Sequence, residues 1–255
     1  MAGSNPAMGM NKMRAAAKSA ALWVGLLFAF LLVDMRQLQP VFGWAFPGVR
    51  PEIFDRASFL ELFWSHLALV AVASGAAALV GIALAIFVTR PGGRDFRTLV
   101  SMAATVGQTF PPAAVLALAV PALGFGPRPT VVALFLYGLL PIVENTVAGI
   151  ESVPLAVCDA ASGMGLSRWQ VLRDVELPLA APVILAGVRV SVTIAIGTAT
   201  IGSAVGALTF GTPIFDGLAG NKLPYVIQGA VLVALFAILT DLLFAGLARW
   251  LQPPG

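Results

Sequence analysis

The chain has 255 residues, of which 59% are apolar and 11% charged, against about 25% charged in an ordinary soluble domain. That balance leaves no room for a soluble domain of useful size. It points to an all-α, polytopic membrane protein, long enough at about 20 residues per crossing for roughly five to seven transmembrane helices. The net charge of +3 does not mark a nucleic-acid binder, because the basic residues flank apolar runs and line no polar face. A single cysteine, Cys158, and a single histidine, His66, exclude an internal disulfide and a His/Cys metal cage.

In chain order, a basic tail (1–14) with Lys12 and Arg14 leads into a first apolar run over 15–33. With Lys18, this stretch also suits a secretory signal peptide. Asp34-Met35-Arg36-Gln37 follows where a small-x-small cleavage site would stand, so the run is expected to be retained. The long connection over 34–59 carries Trp44 and Phe46 where interfacial aromatics belong. Further apolar runs over 60–88, 99–123, 130–150, 179–207 and 225–251 bring the prediction to six spans within one transmembrane domain, 15–251. Irregular backbone in lipid would strand its amides, so each run is predicted helical despite its glycines. With the N-terminus inside, Lys12, Arg14, Lys18, Arg90, Arg94, Arg97, Arg168, Arg173 and Arg249 fall on the cytoplasmic side, and Arg36, Arg50, Arg56, Arg128 and Lys222 outside. This asymmetry predicts both termini inside.

The segment over 151–178, between the fourth and fifth runs, is the sizeable inner loop. It reads as two short helices. Pro154 suits a first helical turn, Gly163 and Gly165 can end that helix, Ser167 with Gln170 forms an S-x-x-Q capping box, and Pro178 marks entry into the fifth span. Leu155, Met164, Trp169, Val171, Leu172 and Val175 are predicted to pack against the membrane domain or a partner, leaving Asp159, Arg168, Arg173 and Asp174 in water. A plain re-entry loop also fits. A DNA-reading helix-turn-helix fits in form, but a unit pinned between two membrane spans is poorly placed to enter a groove.

Asp159-Ala160-Ala161, Gly165 four residues after Ala161, and Val175-x-Leu177-Pro178 resemble the EAA-x3-G-x9-I-x-LP pattern of type I ABC importer permeases (the MetI-like fold), over a likeness running from about His66 to the last span. Gly107-Gln108-Thr109-Phe110-Pro111, Leu134 to Ile142, and Gly197-Thr198-Ala199-Thr200-Ile201-Gly202 look like the permeases of osmoprotectant importers for glycine betaine, choline and related quaternary amines. The resemblance implies that the first short helix couples to a separate ABC ATPase through Asp159, Ala160, Ala161, Gly165, Leu177 and Pro178. It also implies a second permease subunit, an external solute-binding protein and an inner-membrane location. Asp159 departs from the usual Glu, keeping the charge with about one methylene less reach.

The chain has no G-x-x-x-x-G-K-[ST] phosphate loop and needs no cofactor of its own, so ATP hydrolysis falls to the partner and the chain itself is not an enzyme. Gln108, Thr109, Thr198, Thr200 and Ser203 are polar groups at predicted membrane depth that either line a translocation path or glue helices together. Arg189, inside the fifth run, either pairs with Asp241 as a strut or lines the same path. Glu61 and Glu144 fall near predicted span ends, and His66 reads as a satisfied interfacial histidine. No aromatic cage for a quaternary amine is legible within the spans, so the resemblance assigns it to the external protein. Alternatives from the same pattern are an importer of an amino acid or other small polar solute and an ion-driven secondary transporter. An intramembrane enzyme fails for want of a nucleophile and base pair.

Overall fold

The computed structural model describes residues 6–251, and side chains from 19 to 250; the side chains of the basic tail and of Lys18 lie outside the described residues. The regular structure in that range is all helical: α1 (Pro6–Asp34), α2 (Gln39–Ala45), α3 (Phe59–Thr89), α4 (Arg97–Thr109), α5 (Pro112–Leu123), α6 (Pro127–Glu151), α7 (Leu155–Gly163), α8 (Arg168–Val171), α9 (Leu177–Ala199), α10 (Gly211–Ala219) and α11 (Leu223–Leu251). Among the described residues five helical stretches are long and apolar enough to cross a membrane: Ser19–Ala45, Phe59–Thr89, Pro127–Glu151, Arg168–Val205 and Leu223–Trp250.

The remaining predicted span, 99–123, is not straight. α4 and α5 meet at 95°. Phe110 at the break is extended, with φ −72° and ψ 136°, because the ring of a following proline crowds the helical conformation of the residue before it. Pro111 then occupies the N-cap of α5 and Pro112 its first turn, where a missing N–H costs nothing. The fifth span also differs from expectation. Pro178 does not start it, because one helical run continues from α8 through a π-turn, Leu172–Glu176, into α9. Pro178 has no N–H for the carbonyl four residues back, and the looser π-turn falls where that bond is missing.

α3, α6 and α9 form the centre of the bundle. They approach closely through small residues: a Cβ added to Gly187 would meet Asn145 Cβ at 2.6 Å and the Pro141 carbonyl oxygen at 2.7 Å, and one on Gly138 would collide with Ser191 Oγ. α1 lies against α11, with Phe28 and Phe236 stacked at 6.0 Å. At the end of the bundle away from α7, buried Gln228 clamps the connection after α2. It accepts from the Phe54 N–H at 3.0 Å and donates to the Glu52 carbonyl at 2.7 Å. His66 is fully buried and, as expected, satisfied. Its Nδ1 accepts from the Phe210 N–H at 3.2 Å, which leaves Nε2 to carry the proton and donate to the Ile196 carbonyl at 3.1 Å. The histidine thereby ties α3 to α9 and to the start of α10.

Candidate functional site: the loop between α6 and α9 and the α4–α6 seam

The loop between α6 and α9 folds as two short helices with a defined turn. Pro154 stands at the N-cap of α7, one position before the helical turn expected for it. α7 ends in a Schellman motif: the Gly165 N–H donates to the Ser162 carbonyl at 2.9 Å, and the Leu166 N–H to the Ala161 carbonyl at 3.3 Å. Gly165 closes the motif with φ +91°, a left-handed conformation that costs a side-chain-bearing residue roughly 1–2 kcal/mol. Ser167 and Gln170 then form the reciprocal capping box of α8.

The unit packs on itself along one side and is bare on the other. α7 rests against α8 and the π-turn, and Ala161, Val171 and Leu172 are buried. Leu155 is 79% exposed, Met164 76% and Trp169 65%. These three do not reach the membrane domain, so of the two packing surfaces expected for them, the one within this chain is absent. Asp159 and Ala160 are exposed as well. Asp159 faces a cavity of about 880 Å³ between α7 and the 89–97 loop, where Arg90, Arg94, Arg97 and Arg168 also line the wall, and no ion pair engages it among the described residues.

Two ion pairs, which sequence reasoning missed, frame this unit. Arg90, the C-cap of α3, reaches Glu176 at 2.6 Å. Arg97, the first residue of α4, holds Glu151, the last of α6, through both carboxylate oxygens at 2.5 and 3.0 Å. Cys158 lies on α7 beside these charges. Burial, then the nearby Glu176 and Asp159 carboxylates, raise its thiol pKa above the ordinary value, with Arg90 opposing.

Gln108, Thr109, Thr200, Ser203 and Arg189, five of the expected path residues, are each bonded close by. Gln108 donates to the Tyr137 carbonyl at 2.6 Å. That carbonyl lost its helical donor because residue 141, four positions on, is a proline. Thr109 donates to the Val106 carbonyl and Thr200 to the Gly197 carbonyl, each back into its own helix. Ser203 shares hydrogen bonds with Thr209 at 2.7 Å and Thr212 at 3.2 Å, bracing the approach to α10. Thr198 is half-buried on α9. Arg189 takes the first of its two expected roles: Nε and Nη2 meet the two oxygens of Asp241 at 2.5 and 2.6 Å, joining α9 to α11.

α4 and α6 run side by side in opposite directions, from Arg97 beside Glu151, through Ser101, whose hydroxyl donates to Glu144 at 2.5 Å, to Gln108 beside Tyr137. The Glu144 contact had no signal in the sequence beyond a lone acid in an apolar run.

Residues 77–253 match the family described as binding-protein-dependent transport system inner membrane component. The chain is 46% identical to the osmoprotectant import permease protein OsmY of Salmonella typhimurium, over 78% of this chain and 84% of the relative. It is 40% identical to the glycine betaine/carnitine/choline transport system permease protein OpuCD of Bacillus subtilis, over 76% of this chain and 84% of the relative. A solved structure of the MetNI methionine ABC transporter in an inward-facing conformation superposes with a TM-score of 0.68 at 21% identity, covering 76% of this chain and 96% of that one. At that identity the likeness establishes the fold alone.

Proposed function

Because the chain belongs to the family of binding-protein-dependent transport system inner membrane components, it is a multi-pass inner-membrane permease subunit of an ABC importer, and we propose that its solute is glycine betaine, choline or a related quaternary amine. The solute reading rests on the relatives named for those compounds. An amino-acid solute has only the structural likeness behind it.

The observation that carries the mechanism is the bare side of the loop at 151–178. A membrane protein that leaves Leu155, Met164 and Trp169 in water offers an apolar patch of the kind partners cover. In our reading α7 is the coupling helix and an ABC ATPase subunit covers it. Asp159 meets a basic group of that ATPase, Ala160 and Ala161 allow close approach, and Gly165, Leu177 and Pro178 shape the turn and its junction with α9. Two ATPases then serve two permeases, identical or related, with α7 and both termini on the cytoplasmic side. An external binding protein delivers solute to the opposite end. ATP-driven closure of the ATPase pair moves the loop and alternates access to the spans.

Gly165→Pro tests the coupling assignment, since proline cannot adopt φ +91°. The variant is expected to insert and to lose both uptake and stimulated ATP hydrolysis; full uptake would refute the assignment. Titrating the cognate binding protein with glycine betaine, choline and amino acids tests the solute, and tight amino-acid binding without betaine binding would overturn it.

A further inference from the structure

Arg189 within the spans is matched by Asp241, and at the α7 end of the bundle Arg97 is matched by Glu151 and Arg90 by Glu176. Glu144, inside α6, has no such partner among the described residues. It sits seven residues before the end of α6, about 10 Å into the bundle at 1.5 Å per residue. Its side chain is exposed and its one hydrogen bond comes from the Ser101 hydroxyl; no cation meets it among the described residues.

A bare carboxylate at that depth is costly against acyl chains and is stable where it borders water or meets a charge. Next to it α4 turns Arg97, Thr98, Ser101, Met102, Thr105 and Val106 to an open groove of about 610 Å³, and Ser101 links that groove to Glu144. Arg97 is engaged by Glu151, so its charge is already matched. One hydroxyl donor leaves most of the carboxylate's acceptor capacity unused. A quaternary ammonium group has no N–H to donate, so it is recognised by a negative charge or by aromatic faces. No aromatic residue stands among the groove residues, and the Glu144 carboxylate, held beside the groove by Ser101, is the unmatched negative charge the seam provides.

We infer that Glu144 lines the solute route along the α4–α6 seam and meets the cationic head of a quaternary ammonium solute as it passes. The inference rests on the solute class proposed above. It makes Glu144 a contact residue for the cargo, with Ser101 holding the carboxylate toward the groove.

The test uses the permease reconstituted in liposomes with its ATPase and binding protein. Glu144→Gln is expected to lower choline uptake at least tenfold while ATP hydrolysis stimulated by the binding protein stays within twofold, and Glu144→Asp to recover most of the uptake. Separately, Glu144→Cys is treated with a trimethylammonium-bearing methanethiosulfonate, with the reaction of Cys158 in the unsubstituted chain subtracted. It should react at least tenfold faster than Leu79→Cys, an exposed position on the α3 surface, and choline should slow the reaction. Wild-type uptake by Glu144→Gln, or labelling no faster than at Leu79, overturns the inference, and the second result places Glu144 against another subunit or lipid. Rapid labelling that choline does not slow overturns the cation contact. If the unsubstituted permease imports neither choline nor glycine betaine, the proposed solute fails first, and the labelling rate still decides whether Glu144 faces an aqueous route.

Discussion

Replacing Gln108 with leucine should destabilise the bundle through a carbonyl on a different helix. In α6 the Tyr137 carbonyl would ordinarily accept from the N–H of residue 141, but that residue is Pro141. Gln108 on α4 fills the vacancy with a 2.6 Å bond. Hydrogen bonds between membrane helices average about 0.6 kcal/mol and reach about 1.7, whereas stranding a buried acceptor costs about 1–3 kcal/mol. The bond is short and Pro141 cannot supply the usual i+4 donor, so Gln108→Leu should cost about 1.5 kcal/mol, a little over tenfold in the folding equilibrium. Pro141→Ala restores the missing N–H, so in that background the same substitution should cost about 0.5 kcal/mol or less, a coupling near 1 kcal/mol. The assay is equilibrium unfolding of the purified permease in mixed micelles of increasing dodecyl sulfate, followed by circular dichroism, for all four variants. An equal loss in both backgrounds would refute the argument that Gln108 serves the proline gap.

Gly187→Ala should cost about 1–3 kcal/mol by the same assay, because its Cβ would press on Asn145 and on the Pro141 carbonyl across the α6–α9 contact. Gly75→Ala, with nothing within 4 Å, should be neutral or stabilising by about 0.5–1 kcal/mol. Arg189→Gln and Asp241→Asn should each lower the melting temperature more than the two together, since either alone strands a charge at membrane depth; a double variant worse than both would sink the strut reading. Cys158 should react slowly with maleimide at pH 7 and speed up only as the pH passes the ordinary thiol range. Its raised pKa leaves less thiolate at any given pH, and a rate at pH 7 matching a free thiol would contradict the burial that causes it.

What could be read in advance was whatever depends on neighbours in the chain. Long apolar runs gave the spans, and the Ser167–Gln170 capping box and the turn at Gly165 were legible because capping and positive φ are local properties. The break at Phe110 was legible too, in the pair Pro111-Pro112, but hydropathy averages over it and a continuous span was expected. Leu155, Met164 and Trp169 carry the apolar character of buried residues, and the sequence does not say whether the covering surface belongs to the same chain. Arg90–Glu176 and Ser101–Glu144 join residues 86 and 43 positions apart, so they exist only once the helices have packed. His66 was legible as a satisfied histidine but its partners were not, since the Phe210 N–H lies 144 residues away.

The way the loop is attached decides which spans respond to it. α7 joins α9 through the turn at Gly165 and then a single helical run of α8, the π-turn and α9, whose loosest stretch lies just before Pro178. Arg90–Glu176 pins that place to the end of α3, and with Glu176 only 13% exposed the pair is largely shielded from solvent screening. Arg97–Glu151 is about half exposed on both sides, and exposed pairs of this kind contribute at most about 1 kcal/mol. If α7 is the coupling helix proposed above, its displacement would be carried first into α3 and α9, which already pack with α6 as the centre of the bundle. α4 is broken from α5 at 95° and meets α6 through the exposed Arg97–Glu151 pair, Ser101–Glu144 and Gln108–Tyr137, so its hold on the centre rests on polar contacts strung along the seam.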